Sequence, residues 1–540
     1  LASSELVAYI FKGTPLFMRL TPTVLITMSL ARGASTLSTS SFGRRAMTAR
    51  RRLNVLGASK SPALSTGATV AAPASAAPSS TFKVPPLTVA PTEHPAFELV
   101  RDEMVDEYGV RATLYKHTKS GAEVLSVMAA DENKVFGITF RTPPSDSTGV
   151  PHILEHSVLC GSRQFKSKEP FVELLKGSLQ TFLNAFTYPD RTCYPVASCN
   201  LKDFYNLVNV YLDAVLHPRA IEDEQVLKQE GWHYEIESPD QPLTYKGVVY
   251  NEMKGVYSSP DSLLGKYAQE ALFPANTYGV DSGGDPLNIP DLTFDGFKAF
   301  HGEFYHPANS RVFFYGDDPV AERLSLLDGY LKEFDAIEPR SAIGIQPVED
   351  LASFKTKSRR LVGRFPSSEA QAAAAAGGGG AKGEEEGGEA GQNMVQVNWL
   401  LNEAPMSGKD QIAVTLLDHL LMGTQAATLR KALTDSGLGA EVIGGGLSDE
   451  LSQATFSVGL KGVKAEDVEK VEALVESTLA EFAKTGPAPE AVEASVNTIE
   501  FSLREFNTGS FPRGLSFMLG AMAQWIYGGR QQRDPPPPPP

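Results

Sequence analysis

The 540-residue chain has few cysteines, few long apolar runs and, over its first 92 residues, almost no acid. Each scarcity excludes something. Three cysteines, Cys160, Cys193 and Cys199, are too few and too odd in number for a disulfide scaffold, and they fit a reducing compartment. Cys160 reads as a small buried core residue one helical turn past His156. The apolar stretch near Leu6–Leu30 is interrupted by Lys12, Arg19 and two prolines, so it does not read as a membrane span, and no later stretch does either. Up to Thr92 there are ten basic residues and one acid, Glu5. Ser, Ala and Thr are abundant there, with clusters at Arg44-Arg45 and Arg50-Arg51-Arg52. Residues 1–92 therefore read as an organelle transit peptide and disordered linker, which addresses the protein to the mitochondrial matrix or the chloroplast stroma. The remainder carries 39 basic against 63 acidic residues, a net charge of −24. A body this acidic makes a poor nucleic-acid binder and a suitable host for cationic ligands.

What is present centres on His152-Ile153-Leu154-Glu155-His156. On a helix, residues four apart share a face, so the two imidazoles project together with Glu155 beside them. Two neutral imidazoles aimed at one point suit zinc, and a neighbouring carboxylate can accept a proton from the attacking water. The order is the inverted zincin pattern, His-x-x-Glu-His. Catalytic zinc takes a third protein ligand. Glu230, Glu235, Glu237, Glu252 and Cys160 are all available downstream, and pattern alone does not choose among them.

Around this motif the patterning predicts strands at Ala112–Lys116, Ala122–Met128 and Val135–Phe140, then a helix capped by Thr148 with Pro151 in its first turn. Further helices are expected at Glu169–Leu183, Asn200–Leu216 and Ala220–Glu230. A hairpin of Thr181–Thr187 and Thr192–Ala197 is expected around Pro189-Asp190. The expected class is α+β, a mostly antiparallel sheet with helices packed on one face, present twice. Domains are expected at 93–345 (catalytic) and 346–500 (a second, inactive repeat with a disordered loop at 367–392), with 501–540 the start of a helical linker and a proline-rich tail. In the second repeat, Thr415-Leu416-Leu417-Asp418-His419 stands where the first has His152–His156, but with Thr for the first His and Asp for Glu it lacks the zinc ligands. Gly444-Gly445-Gly446 lacks the Lys-Ser/Thr of a phosphate loop.

The sequence His152-Ile153-Leu154-Glu155-His156-Ser157-Val158-Leu159-Cys160-Gly161-Ser162 resembles the zinc helix of the pitrilysin-type inverzincin metallopeptidases, in particular their presequence-protease (organellar peptidasome) branch. Leu183–Thr187, Gln229–Trp232, Tyr250–Gly255 and Asn507–Gly514 match that branch in order and spacing. The resemblance runs from about Phe97 to Tyr527. It implies a pitrilysin/processing-peptidase-like fold and one zinc ion per chain, held by His152, His156 and Glu252. It further implies Glu155 as general base and Glu230 as a supporting catalytic acid that orients a histidine ring. Asn184 and Ala185 would present an edge strand to substrate, and Leu159, Phe171, Val172 and Leu175 an apolar pocket. The substrates implied are unfolded peptides such as cationic targeting presequences. Family members are about twice as long, so the chain reads as their N-terminal half, lacking the groups that hold the scissile carbonyl. Weak turnover by the isolated chain is therefore expected unless a separate C-terminal half associates. A non-catalytic, peptide-binding or assembly subunit is the competing function, and the intact His152, Glu155, His156 and Glu252 argue against it.

Overall fold

The computed structural model describes residues 23–30, 82–167, 170–347, 359–365, 393–404 and 406–527. The expected loop 367–392, the proline-rich tail and most of the expected leader lie outside the described residues. The chain divides into two units. One comprises Gly67–Val256, Asn276–Gly344 and Ser502–Pro540 and holds the histidine motif. The other comprises Leu1–Thr66, Tyr257–Ala275 and Ile345–Phe501.

One strand, β1 (Thr23–Leu30), belongs to the second unit. The motif unit begins with β2 (Phe97–Val105), β3 (Val110–His117), β4 (Glu123–Met128) and β5 (Lys134–Arg141), then α1 (Val150–Val158) and α2 (Pro170–Gly177). Next come β6 (Gln180–Leu183), β7 (Phe186–Thr187), β8 (Arg191–Ser198), α3 (Leu201–Leu216), α4 (Glu224–Glu230), β9 (His233–Glu235), β10 (Thr244–Lys246) and α5 (Val248–Val256). Helix α6 (Pro260–Leu272) is in the other unit. The motif unit resumes with α7 (Phe294–Phe304), β11 (Ser310–Gly316) and α8 (Val320–Leu331). Its main sheet runs β2-β3-β4-β11-β5-β8-β6, with β7 also on β8, and is antiparallel except for the β4–β11 pair.

Strands β5 and β8 are buried almost end to end, the pattern of strands covered on both faces. Helix α3 covers one face, with Phe204 against Phe314. Its first turn is capped by the Asn200 side chain, which accepts from the Asp203 N–H at 3.0 Å. On the other face a later helix (Arg513–Trp525, numbered below as α13) packs Leu515, Met518 and Met522 against Val135, Ala197, Phe313 and Tyr315. So helices cover both faces, not only the expected one. The approach depends on Gly137, where a Cβ would lie 2.1 Å from Met518 Sδ.

Two local expectations change. Helix α2 stops at Gly177 instead of running to Leu183, because Gln180–Leu183 pair with β8. The expected single strand Thr181–Thr187 is broken into β6 and β7 at Asn184-Ala185. Opposite Asn184 in the register stands Pro195, which has no N–H to donate. The Asn184 carbonyl accepts instead from the Tyr211 hydroxyl at 3.3 Å.

In the second unit, β1 lies between β12 (Arg359–Phe365), to which it is parallel, and β13 (Asn393–Leu400), to which it is antiparallel. Eight residues of the expected leader are thus strand. The sheet continues through β15 (Thr455–Val463) to β14 (Glu441–Ser448). Helices α9 (Gly408–Asp418), α10 (Thr428–Asp435), α11 (Val468–Thr485) and α12 (Pro489–Glu505) follow in the chain, then α13 (Arg513–Trp525) of the motif unit. Contrary to expectation, Gly408–Asp435 has the length and hydropathy of a membrane span, yet half of its 18-residue apolar stretch is buried. Leu416, Leu420, Leu429 and Leu433 pack there with Val395, Val458 and Val475.

Candidate active site

Helix α1 starts where β5 and its following loop deliver the chain to Gly149. Gly149, at φ +70°, is the N-cap in place of the expected Thr148, whose hydroxyl instead donates to Asp146 at 2.6 Å. A Cβ at Gly149 would lie 2.6 Å from the Gly284 Cα, so the Asp281–Asp285 loop can close over the helix start only on glycine. Ile153, Leu154 and Val158 are fully buried and anchor the helix, at about 1.5–3 kcal/mol each. The opposite face carries His152 and Glu155, 3 % and 9 % exposed, and the half-buried His156.

Each ring is held through Nδ1. His152 Nδ1–H donates to the Gly283 carbonyl at 2.9 Å. His156 Nδ1 is 3.4 Å from Glu230 Oε2. Carbonyl and carboxylate can only accept here, so in the neutral rings both Nε2 atoms are left as acceptors, the form a metal takes. Helix α5 brings Glu252 back to them. Its Oε2 is 3.8 Å from both Nε2 atoms, and the two rings are 5.0 Å apart at 79°. The ligand atoms of His152, His156 and Glu252 lie within 4.8 Å of one another, the one such group of three among the described residues. Ligands that share a zinc stand about 3.3–3.5 Å apart, so the two Glu252–imidazole separations of 3.8 Å would shorten by a few tenths of an ångström and the widest separation by up to about 1.4 Å. The donor set, two imidazole nitrogens and a carboxylate oxygen, fits zinc with a position left open.

Glu230 is buried at the end of α4, a helix capped by Asp223. Burial, the largest influence, pushes its carboxyl up. The bond to His156 and that ring's charge, then Gln229 and Cys160, outweigh it and hold the group below its usual value. Burial likewise pulls His156 down, but Glu230, then the charges of Glu155 and Glu252, leave it raised. Glu235 pairs with Lys246 instead and is not in the triad. Glu237 is likewise paired with Lys246.

Two partners of the site were not legible in the sequence. The Gly283 carbonyl is one. The other is Thr187 on β7, whose hydroxyl donates to Glu155 Oε2 at 2.5 Å. A Thr in a short strand carries no signal of such a role. Cys160 is half-exposed, not a buried core residue, with Sγ 3.6 Å from Glu230 Oε1.

Asn184 and Ala185 lie at the sheet edge between β6 and β7, Asn184 half-buried and Ala185 buried. Leu159, Phe171 and Val172 are half-buried and Leu175 is 45 % exposed, so these apolar side chains are not ordinary core. A cavity of about 400 Å³ beside α2 is lined instead by Phe165, Pro170, Leu174 and Val210 among others.

Residues 141–254 match the family model "Insulinase (Peptidase family M16)", and residues 291–499 match "Peptidase M16 inactive domain". The chain belongs to the M16 peptidase family. Among M16 relatives, it is 56 % identical over 431 residues to presequence protease 1, chloroplastic/mitochondrial, of Arabidopsis thaliana, covering 80 % of this chain and 38 % of that one. It is 38 % identical over 410 residues to the mitochondrial presequence protease of Xenopus laevis, covering 75 % and 38 %. The chain thus spans about two fifths of the length of these relatives. Among solved structures, the M16 inactive domain of Pseudomonas fluorescens matches with a TM-score of 0.58 at 17 % identity over 78 % of this chain and 89 % of that one. Pitrilysin matches with 0.54 at 14 % over 80 % and 42 %. These two matches bear on the fold, the pitrilysin-like α+β architecture expected above.

Proposed function

We propose that this chain is the metal-holding part of a zinc metalloendopeptidase that degrades cleaved targeting presequences and other short unfolded peptides in an organelle. The observation that carries the proposal is the convergence of His152, His156 and Glu252 on one point, with Glu155 beside them on the same helix. Zinc bound there would supply Lewis acidity, acidifying a water and polarising the scissile carbonyl. The chain's own residues do the rest. Gly283 and Glu230 fix the two rings so that both Nε2 atoms face inward. Glu155 takes the proton of the attacking water and passes it to the leaving amine.

An extended peptide lies along the edge at Asn184 and Ala185, held by backbone hydrogen bonds that read no particular sequence. Leu159, Phe171, Val172 and Leu175 receive an apolar side chain, and the acidic body draws in cationic peptides. In this reading residues 93–345 are the catalytic domain and 346–500 an inactive repeat. That repeat commits its equivalents elsewhere: Asp418 accepts from the Leu447 N–H at 2.9 Å, and His419 meets Ser495 at 2.9 Å. The names of the plant and animal relatives support a chloroplast or mitochondrial address, in the stroma or the matrix.

The test pairs metal analysis with hydrolysis of a fluorogenic presequence-like peptide. Purified protein should hold one zinc per chain, His152→Ala should hold none, and Glu155→Gln should keep the metal but lose hydrolysis. A chain that refuses divalent ions would overturn the proposal.

A further inference from the structure

Glu155 has one side-chain hydrogen-bond partner among the described residues, the Thr187 hydroxyl at 2.5 Å. The contact joins α1 to β7, two elements of one unit that are distant in sequence. Thr187 is itself firmly placed. It pairs with Thr192 of β8, and the turn between them is closed by the Tyr188 N–H donating to the Arg191 carbonyl at 2.8 Å. At the tip of that turn, Asp190 is fully buried and accepts from the Tyr278 hydroxyl at 2.6 Å and from Arg191 at 2.9 Å. Arg191 in turn lies over the Tyr188 ring, 4.2 Å from its centroid. A hydroxyl on so anchored a turn is a fixed donor, the kind of support that holds a reacting side chain within a fraction of an ångström.

From this geometry we infer that Thr187 is a positioning residue for Glu155. It holds Oε2 by its hydroxyl and so aims Oε1 at the point where the metal ligands converge. The inference rests on the peptidase reading, because it assigns Thr187 a part in proton transfer by Glu155. It adds a link between substrate and base. Thr187 follows Asn184-Ala185 in the chain, so the segment that a peptide would pair with also carries the hydroxyl that orients the carboxylate. The stake is geometric: a general base contributes only when its free oxygen is within hydrogen-bonding reach of the proton it takes.

The experiment compares Thr187→Val, which keeps the shape and loses the hydroxyl, with Thr187→Ser, which keeps the hydroxyl. With zinc content equal across the set, Thr187→Val should lower kcat on the order of tenfold or more while KM stays within about twofold, and Thr187→Ser should stay within about threefold of the parent. Crystal structures of the parent and both variants supply a readout independent of turnover. Glu155 Oε2 should stay on the hydroxyl in Thr187→Ser, and the carboxylate should leave its position in Thr187→Val. A Thr187→Val protein with parental kcat, or with an unmoved Glu155, overturns the inference, and so does a Thr187→Ser protein as impaired as Thr187→Val. If the parent refuses divalent ions, or Glu155→Gln costs nothing, the peptidase reading fails by itself, and the position of Glu155 in the crystals still decides the role of Thr187.

Discussion

At the scale of single residues, the candidate metal group is assembled from two kinds of information. His152 and His156 are legible in the sequence because a helix sets them four apart, and the geometry follows from that spacing alone. Spacing leaves Glu252 as one of several acids and only the family resemblance singles it out; in the folded chain its Oε2 is 3.8 Å from both rings. His152→Ala or His156→Ala should therefore reduce bound zinc from one per chain to near zero by elemental analysis. Glu155→Gln should retain the metal and lower peptide hydrolysis by about 10²–10⁴-fold. A different residue sets a pH limit. His301 is buried, and its Nε2–H donates to the Val215 carbonyl at 3.0 Å. Burial, only partly offset by that carbonyl, lowers its pKa from 6.5 to about 4. The unfolded chain therefore takes up a proton that the folded chain refuses. The stability this group contributes is whole above pH 6.5 and is lost as pH falls toward 4, by up to about 3 kcal/mol. Between about pH 7 and about pH 5, the melting temperature of His301→Phe should fall less than that of the parent.

At the scale of elements, the start of α1 shows why placing a motif on a helix does not place the helix. Patterning suggested a Thr148 cap, and Thr148 has the right chemistry for one. The chain instead enters through Gly149 in the left-handed region, because the Gly283-Gly284 backbone must come close enough to receive the His152 Nδ1–H. Gly149→Ala introduces both an unfavourable φ and a clash with Gly284. It should cost at least about 1–3 kcal/mol by thermal unfolding. Because the displaced loop carries the His152 partner, zinc affinity measured against a competing chelator should also fall, about 10–100-fold. The break between β6 and β7 has a reason visible only in the register, where Pro195 stands opposite Asn184. Read alone, Thr181–Thr187 contains no proline or glycine to mark the break.

At the scale of the whole molecule, the excess of acid has consequences no single contact carries. A net charge of −15 produces a long-range field that raises the encounter rate of cationic peptides and is screened by salt. Raising salt from about 0.05 to about 0.5 M should lower kcat/KM for a strongly basic presequence peptide several-fold and leave that for a neutral peptide of equal length nearly unchanged. Equal salt responses for the two peptides would remove charge attraction from the account of substrate choice.

The charge, the helix that pairs the two histidines with a carboxylate, and the α+β class are all legible in the amino-acid order. These depend on composition and on spacings of a few residues, which local geometry converts directly into shared faces. Spacing alone left the third acid open and the family resemblance named Glu252 and Glu230, whereas the Gly283 carbonyl on His152 and the Thr187 hydroxyl on Glu155 came only with the folded chain. Those contacts join segments far apart in the chain, and nothing in the local pattern of Gly283 or Thr187 records the partner that folding brings to each.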